Sequence, residues 1–112
     1  MNIRDLKMEL DTNEIKEDAY LIEPVLCPDG TLCIKRQGPG EWAVFTMEKG
    51  DFTLFETFYS EHLACRYMLR MLLSEPVYYK GFKTSDVEAW NDRHKACLMR
   101  YGFTVDALSN RH

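Results

Sequence analysis

The stretch WAVFTMEKGDFTLFETFYSEHLACRYML, residues 42–69, decides the fold. Apolar residues fill 42–47, the charged turn Glu48-Lys49-Gly50-Asp51 follows, and a second apolar run returns over 52–58. Two such runs around a glycine-containing turn read as a β-hairpin. Ser60 then opens a helix. Its hydroxyl can accept from an amide of the first turn, and Glu61 suits the positive end of the helix dipole. That helix reaches about residue 73, with Ala64, Met68, Met71 and Leu72 inward and Tyr67 beside them. His62, Arg66 and Arg70 recur every four residues as its wet stripe.

Upstream, residues 2–10 read as a first helix, with Ile3, Leu6 and Leu10 at helical spacing, broken by Asp11, Thr12 and Asn13. Residues 15–19 suggest a further turn. Residues 20–26 read as a strand, which Pro24 places at an edge. Cys27-Pro28-Asp29-Gly30-Thr31 is a turn signal, because proline presets φ and glycine accepts the left-handed position. Residues 32–36 return as a second strand, and Gln37-Gly38-Pro39-Gly40 turns the chain into the third. Downstream, Pro76 follows the end of the second helix, and residues 77–79 form a short extended piece or loop. Ser85-Asp86-Val87-Glu88 has the spacing of a capping box. The helix it opens aligns Val87, Trp90, Asn91, His94, Cys97, Leu98 and Tyr101 on one face. Gly102 closes that helix in the left-handed conformation, with Phe103 folding back on its last turn.

Four short strands joined by short turns predict an antiparallel meander. The third and fourth strands are apolar on both faces. Trp42 and Val44 point one way and Ala43, Phe45 and Met47 the other; Leu54 and Phe58 oppose Phe55. A sheet with one wet face alternates more cleanly. The expectation is an α+β fold: a four-stranded antiparallel meander with an N-terminal helix and two C-terminal helices packed mainly on one face. The second face is then partly covered by the chain ends, or it carries an apolar patch that meets a partner.

At 112 residues the chain is sized for a single domain. Its four cysteines are too few for a disulfide scaffold and suit free thiols in a reducing cytoplasm. No apolar run approaches the ~20 residues of a membrane span, and the first ten residues lack the features of a signal peptide. The net charge is −4, and it is uneven. Residues 1–30 hold eight acids and three bases, the rest ten acids and eleven bases. A negative N-terminal field disfavours nucleic acid, whose phosphates call for clustered Lys and Arg. The same field steers a basic protein toward it, or simply keeps the chain soluble.

The chain has no nucleophile elbow, P-loop, dinucleotide fingerprint or zincin motif, so nothing in it marks an enzyme. His62 and Cys65, and His94 and Cys97, are each spaced three apart on a helix. Two such pairs can make a Cys2His2 zinc site between helices, and buried thiols with a core histidine explain the pattern equally well. A thiol nucleophile would pair Cys65 or Cys97 with His94 and a lowered thiol pKa, with no motif to support it. Cys27 and Cys33 flank the first turn. If Cys27 faces Thr31, Cys33 is displaced diagonally, a poor disulfide geometry, and both read as small core residues. Glu48, Asp51 and Glu56 form a carboxylate group at the sheet rim that suits solvent or a partner better than catalysis. No cofactor is called for.

Glu17-Asp18-Ala19-Tyr20, then Trp42-x-Val44, Glu48-Lys49-Gly50, Phe58-x-Ser60-Glu61 and Ala64-Cys65-x-Tyr67-x-Leu69, resemble in order and spacing the small immunity proteins of bacterial polymorphic toxin systems. The likeness covers residues 1–74; residues 75–112 read as a helical extension. Lys49 stands where that family's turn carries arginine, which removes a bidentate carboxylate contact there. The resemblance implies a cytoplasmic protein that binds and neutralises one cognate toxin, such as a basic nuclease. The acids Glu14, Glu17, Asp18 and Glu23 and the turn residues Glu48, Lys49 and Asp51 are the expected contacts. The other readings are a monomeric or homodimeric interaction module using the second sheet face, and a small His/Cys metal-binding protein.

Overall fold

A computed structural model describes residues 1–103. The tail from Thr104 onward lies outside the described residues. Strand β3 (Glu41–Glu48) pairs antiparallel with β4 (Asp51–Phe58), and Lys49 and Gly50 alone make the bend. Both have positive φ, 52° and 85°. That is the type I′ geometry whose twist matches the flanking strands. Strand β2 (Leu32–Gly38) pairs antiparallel with β3, and Pro39-Gly40 turns between them, Gly40 at φ 71°.

The third pairing differs from the expected meander. Strand β1 (Tyr20–Ile22) lies beside β2 but runs parallel to it, with Tyr20, Leu21 and Ile22 opposite Leu32, Cys33 and Ile34. The sheet is therefore mixed, in the order β1-β2-β3-β4. The expected strand 20–26 stops at Ile22 because Glu23 turns to φ 53° and Pro24 follows without an amide donor. Residues 23–31 instead carry the chain back to the start of β2. Pro28-Asp29-Gly30-Thr31 is a turn, closed by the Thr31 amide on the Pro28 carbonyl at 3.3 Å, but it ends a crossover, not a hairpin.

Helix α2 (Glu61–Leu73) buries Ala64, Cys65, Met68, Leu69, Leu72 and Leu73 against the sheet face of Leu32, Ile34, Trp42 and Val44. Ser60 caps it by accepting from the Leu63 amide. Helix α1 (Ile3–Thr12) packs on α2 through Leu6 and Leu10. Its start is a capping box built from Asn2 and Asp5, each side chain accepting from the other's amide, at 2.8 and 3.3 Å. Its end is a Schellman motif. Glu14 donates to Asp11 and Ile15 to Leu10, and the buried pair Ile15 and Leu10 seals the turn.

Helix α3 (Val87–Arg100) ends the same way, with Gly102 donating to Met99 and Phe103 to Leu98. Its start corrects the expectation at Ser85. Residues 84–86 form a 3₁₀ turn, the helix begins at Val87, and no side chain caps it. Val87 is consequently exposed, while His94, Cys97 and Leu98 face inward as expected. The segment 77–79 is no strand. A 3₁₀ turn (Pro76–Tyr78) leads into Tyr79, which forms one isolated bridge with Ile15. Tyr79 is fully buried, and its hydroxyl donates to the Leu73 carbonyl at the end of α2. Tyr79, Cys97 and Leu98 share the main core with residues of α1, α2 and the sheet. Each such fully buried leucine contributes about 1.5–3 kcal/mol through loss of water contact.

Candidate protein-interaction surface

The other sheet face carries a smaller apolar cluster of Cys33, Ala43 and Phe45, with Leu21, Cys27 and Met47 against it. Residues 23–31 run beside this face, where the chain ends were expected to lie; at the N-terminal end Met1 and Ile3 pack instead on the main core, and the C-terminal end lies outside the described residues. The crossover is tied to the hairpin tip by two bonds. The Gly30 amide donates to the Met47 carbonyl at 2.9 Å, and the Lys49 amide donates to Asp29 Oδ2 at 3.2 Å.

Among the described residues, the face is left open on the β4 side. The register shifts by one residue near Thr46 and Met47, so Thr53 is extra and both Phe52 and Phe55 come to the side of Phe45. The three rings form one cluster with centroids 4.8 to 6.3 Å apart. Phe52 remains 55% exposed and Phe55 41%, while Val25 and Leu26 on the crossover are 92% and 81% exposed. Such apolar exposure on a sheet face is typical of a surface that meets another molecule.

Strand directions decide which acids gather. The starts of β1, β2 and β4 and the end of β3 share one end of the sheet. Glu17 and Asp18, in the 3₁₀ turn (Glu17–Ala19) just before β1, therefore share that end with Asp29, Glu48 and Asp51, with Lys49 among them. All are exposed. β1 and β4 stand three strand spacings apart, about 14 Å. Asp29 was not among the expected contacts. Its signal lay in the turn motif, which also placed the side chain at the rim.

The remaining expected contacts lie elsewhere. Glu14 sits at the end of α1, where it pairs with Arg93 of α3 at 2.7 Å. Arg93 also stacks over Trp90 and Tyr79, so this carboxylate helps hold the α1–α3 seam. The seam continues through Asn13, whose amide donates to the Tyr101 hydroxyl at 2.7 Å, and through Tyr101, which bonds Glu9. Glu23 lies at the side of the sheet and accepts from the Arg36 amide at 3.3 Å. Glu56 pairs with Val44 on the helix-bearing face, apart from Phe55, so the three rim carboxylates do not converge.

Among the described residues no three His, Cys, Asp or Glu side chains come together to hold a metal ion. His62 Nδ1 lies 2.6 Å from the N-terminal amine, well away from the α3 pair in role and setting. His94 is buried, and its Nδ1 has no partner among the described residues, so it makes no dyad with Cys65 or Cys97 through that atom. Burial, and then Lys95, pull its pKa below the ordinary 6.5. Cys65 is pushed up to about 12, first by burial and then by Glu61, the opposite of nucleophile activation. Cys27, on the crossover, packs against the cluster that holds Cys33, and the Cys33 thiol donates to the Thr31 carbonyl at 3.6 Å. Burial, then Cys27, push the Cys33 thiol up to about 12, and both remain free thiols.

Among the described residues no helix is long and apolar enough to cross a membrane. No family model matches the chain, and neither a curated protein nor a solved structure matches it.

Proposed function

We propose that this protein works by binding a basic protein partner at the acidic end of its sheet and the adjoining aromatic face. In biological terms we read it as a cytoplasmic immunity protein that neutralises a cognate bacterial toxin domain. The binding half of that reading is supported by one observation: five exposed carboxylates share an end of the sheet with two half-exposed phenylalanines. The toxin half is supported by the sequence resemblance described above. Charged rims speed encounter and desolvated aromatics hold the complex, so the two features divide the work. Nothing in this role requires catalysis or a cofactor.

The test takes as candidate partner the C-terminal domain of a toxin encoded in a neighbouring reading frame, and a neighbourhood without such a gene counts against the toxin half. Glu17→Lys, Asp18→Lys, Glu48→Lys and Asp51→Lys together should weaken binding by about tenfold or more, chiefly through slower association, with the circular dichroism spectrum unchanged. Equal affinity in the folded variant removes this surface from the interface. A homodimer formed through the aromatic face is the second reading, favoured by the exposure of Phe52 and Phe55. Sedimentation decides it, since a monomer at all concentrations excludes the dimer.

A further inference from the structure

The two edges of the sheet are built differently. β1 is three residues long and ends at Glu23 in a left-handed turn, with Pro24 next. Both features stop another strand from pairing there. β4 is eight residues long, and among the described residues no strand lies on its outer side. Its sequence, DFTLFETF, contains no lysine, arginine or proline. Five of its residues are exposed: Asp51, Phe52, Thr53, Phe55 and Glu56. A bulge at Thr53 and the charge of Glu56 interrupt this edge, but the lysine and proline that commonly blunt a long edge are absent, and past the bulge residues 54–58 keep a row of amides and carbonyls that can pair with another chain.

We infer that β4 is a docking edge, and that the partner contributes an extended segment alternating apolar and basic side chains as a fifth strand. Strand addition supplies affinity through main-chain bonds and specificity through alternate side chains. Here the two faces ask for different chemistry. On the open face the added strand lies beside Phe52 and Phe55, which favours apolar residues. On the helix-bearing face it lies beside Glu56, which favours lysine or arginine, and Asp51 at the strand start adds to the same preference. Opposite charges across adjacent strands attract and like charges repel, so the choice is one of sign. The inference rests on reading this surface as a protein interface, but not on the partner being a toxin.

The test needs no natural partner. The full chain is mixed with a short synthetic peptide alternating lysine and valine, or with a control peptide alternating glutamate and valine, and backbone amide exchange is followed by NMR. The lysine peptide should slow exchange in residues 51–58 by about tenfold or more, and the glutamate peptide should not. Glu56→Lys should weaken the first effect and favour the second peptide, without moving the shifts of the core residues Ile34 and Leu69. Protection confined to Glu17, Asp18 and Glu48 would overturn the inference, since it would show charge attraction without strand pairing. So would slow β4 exchange in the peptide-free protein together with a sedimenting dimer, because the occupant would then be a second copy. A toxin that binds elsewhere while the lysine peptide still protects β4 would sink the immunity reading of this surface and leave strand addition standing.

Discussion

Lys49 occupies a position that favours asparagine, aspartate or glycine, because both central residues of a type I′ turn have positive φ. A side chain with a β-carbon costs roughly 1 kcal/mol there. Lys49→Gly should therefore stabilise the protein by about 0.5–1 kcal/mol, read as a higher urea midpoint; a lower midpoint would contradict the turn geometry. Its amide bond to Asp29 is a main-chain contact and survives the change. Glu14, at φ 59°, makes the contrasting case. Glu14→Gly relieves a similar strain but loses the exposed pair with Arg93, worth about 0–1 kcal/mol, so the two effects nearly cancel. His94 gives a pH dependence. Its folded pKa lies below the ordinary 6.5, so the unfolded chain holds more protons as pH falls through that value. Stability is full above about 6.5 and declines as pH falls below it, and His94→Gln should flatten that decline in urea titrations at several pH values. Composition along the chain announced the acids, but not that Glu14 was already paired, since its partner Arg93 is far away in sequence.

At the level of elements, the helices were legible where a local signal was sufficient. Ser60, the apolar face of α2, and the Gly102 stop all depend on residues within one or two turns. One cap was missed and one misread for the same reason. Asn2 and Asp5 form a capping box although the usual partner is Glu or Gln. Ser85 keeps the pattern but falls inside a 3₁₀ turn. Asn2→Ala should cost about 1 kcal/mol in unfolding free energy. Tyr79→Phe should cost about as much, because the Leu73 carbonyl loses a side-chain donor in a dry setting. The parallel β1 was beyond reach. Turn chemistry at Pro28-Asp29-Gly30 reports a local bend, not which segments pair on either side of it. The exposed Val25 and Leu26 looked like strand residues because hydrophobicity alone does not separate a core position from a surface one.

For the whole molecule, charge and apolar surface are arranged along one direction. Acids gather at the end of the sheet that holds the β3–β4 tip, and the aromatic cluster begins beside them. If this end captures a basic partner, association should slow several-fold as salt rises from about 0.05 to 0.5 M, with dissociation little changed. Stopped-flow mixing with the toxin domain measures both, and a salt-independent association rate would exclude steering.

The parallel pairing of β1 also bears on how the molecule assembles. The β2-β3-β4 ribbon closes through two tight bends, so it can zip up early from near neighbours in sequence. β1 must wait for nine intervening residues to loop back, and it then pairs with β2 over three residues. It is the last strand to join and the first to let go, so the amides of Leu21 and Ile22 should exchange with solvent well before those of Val44 and Phe45.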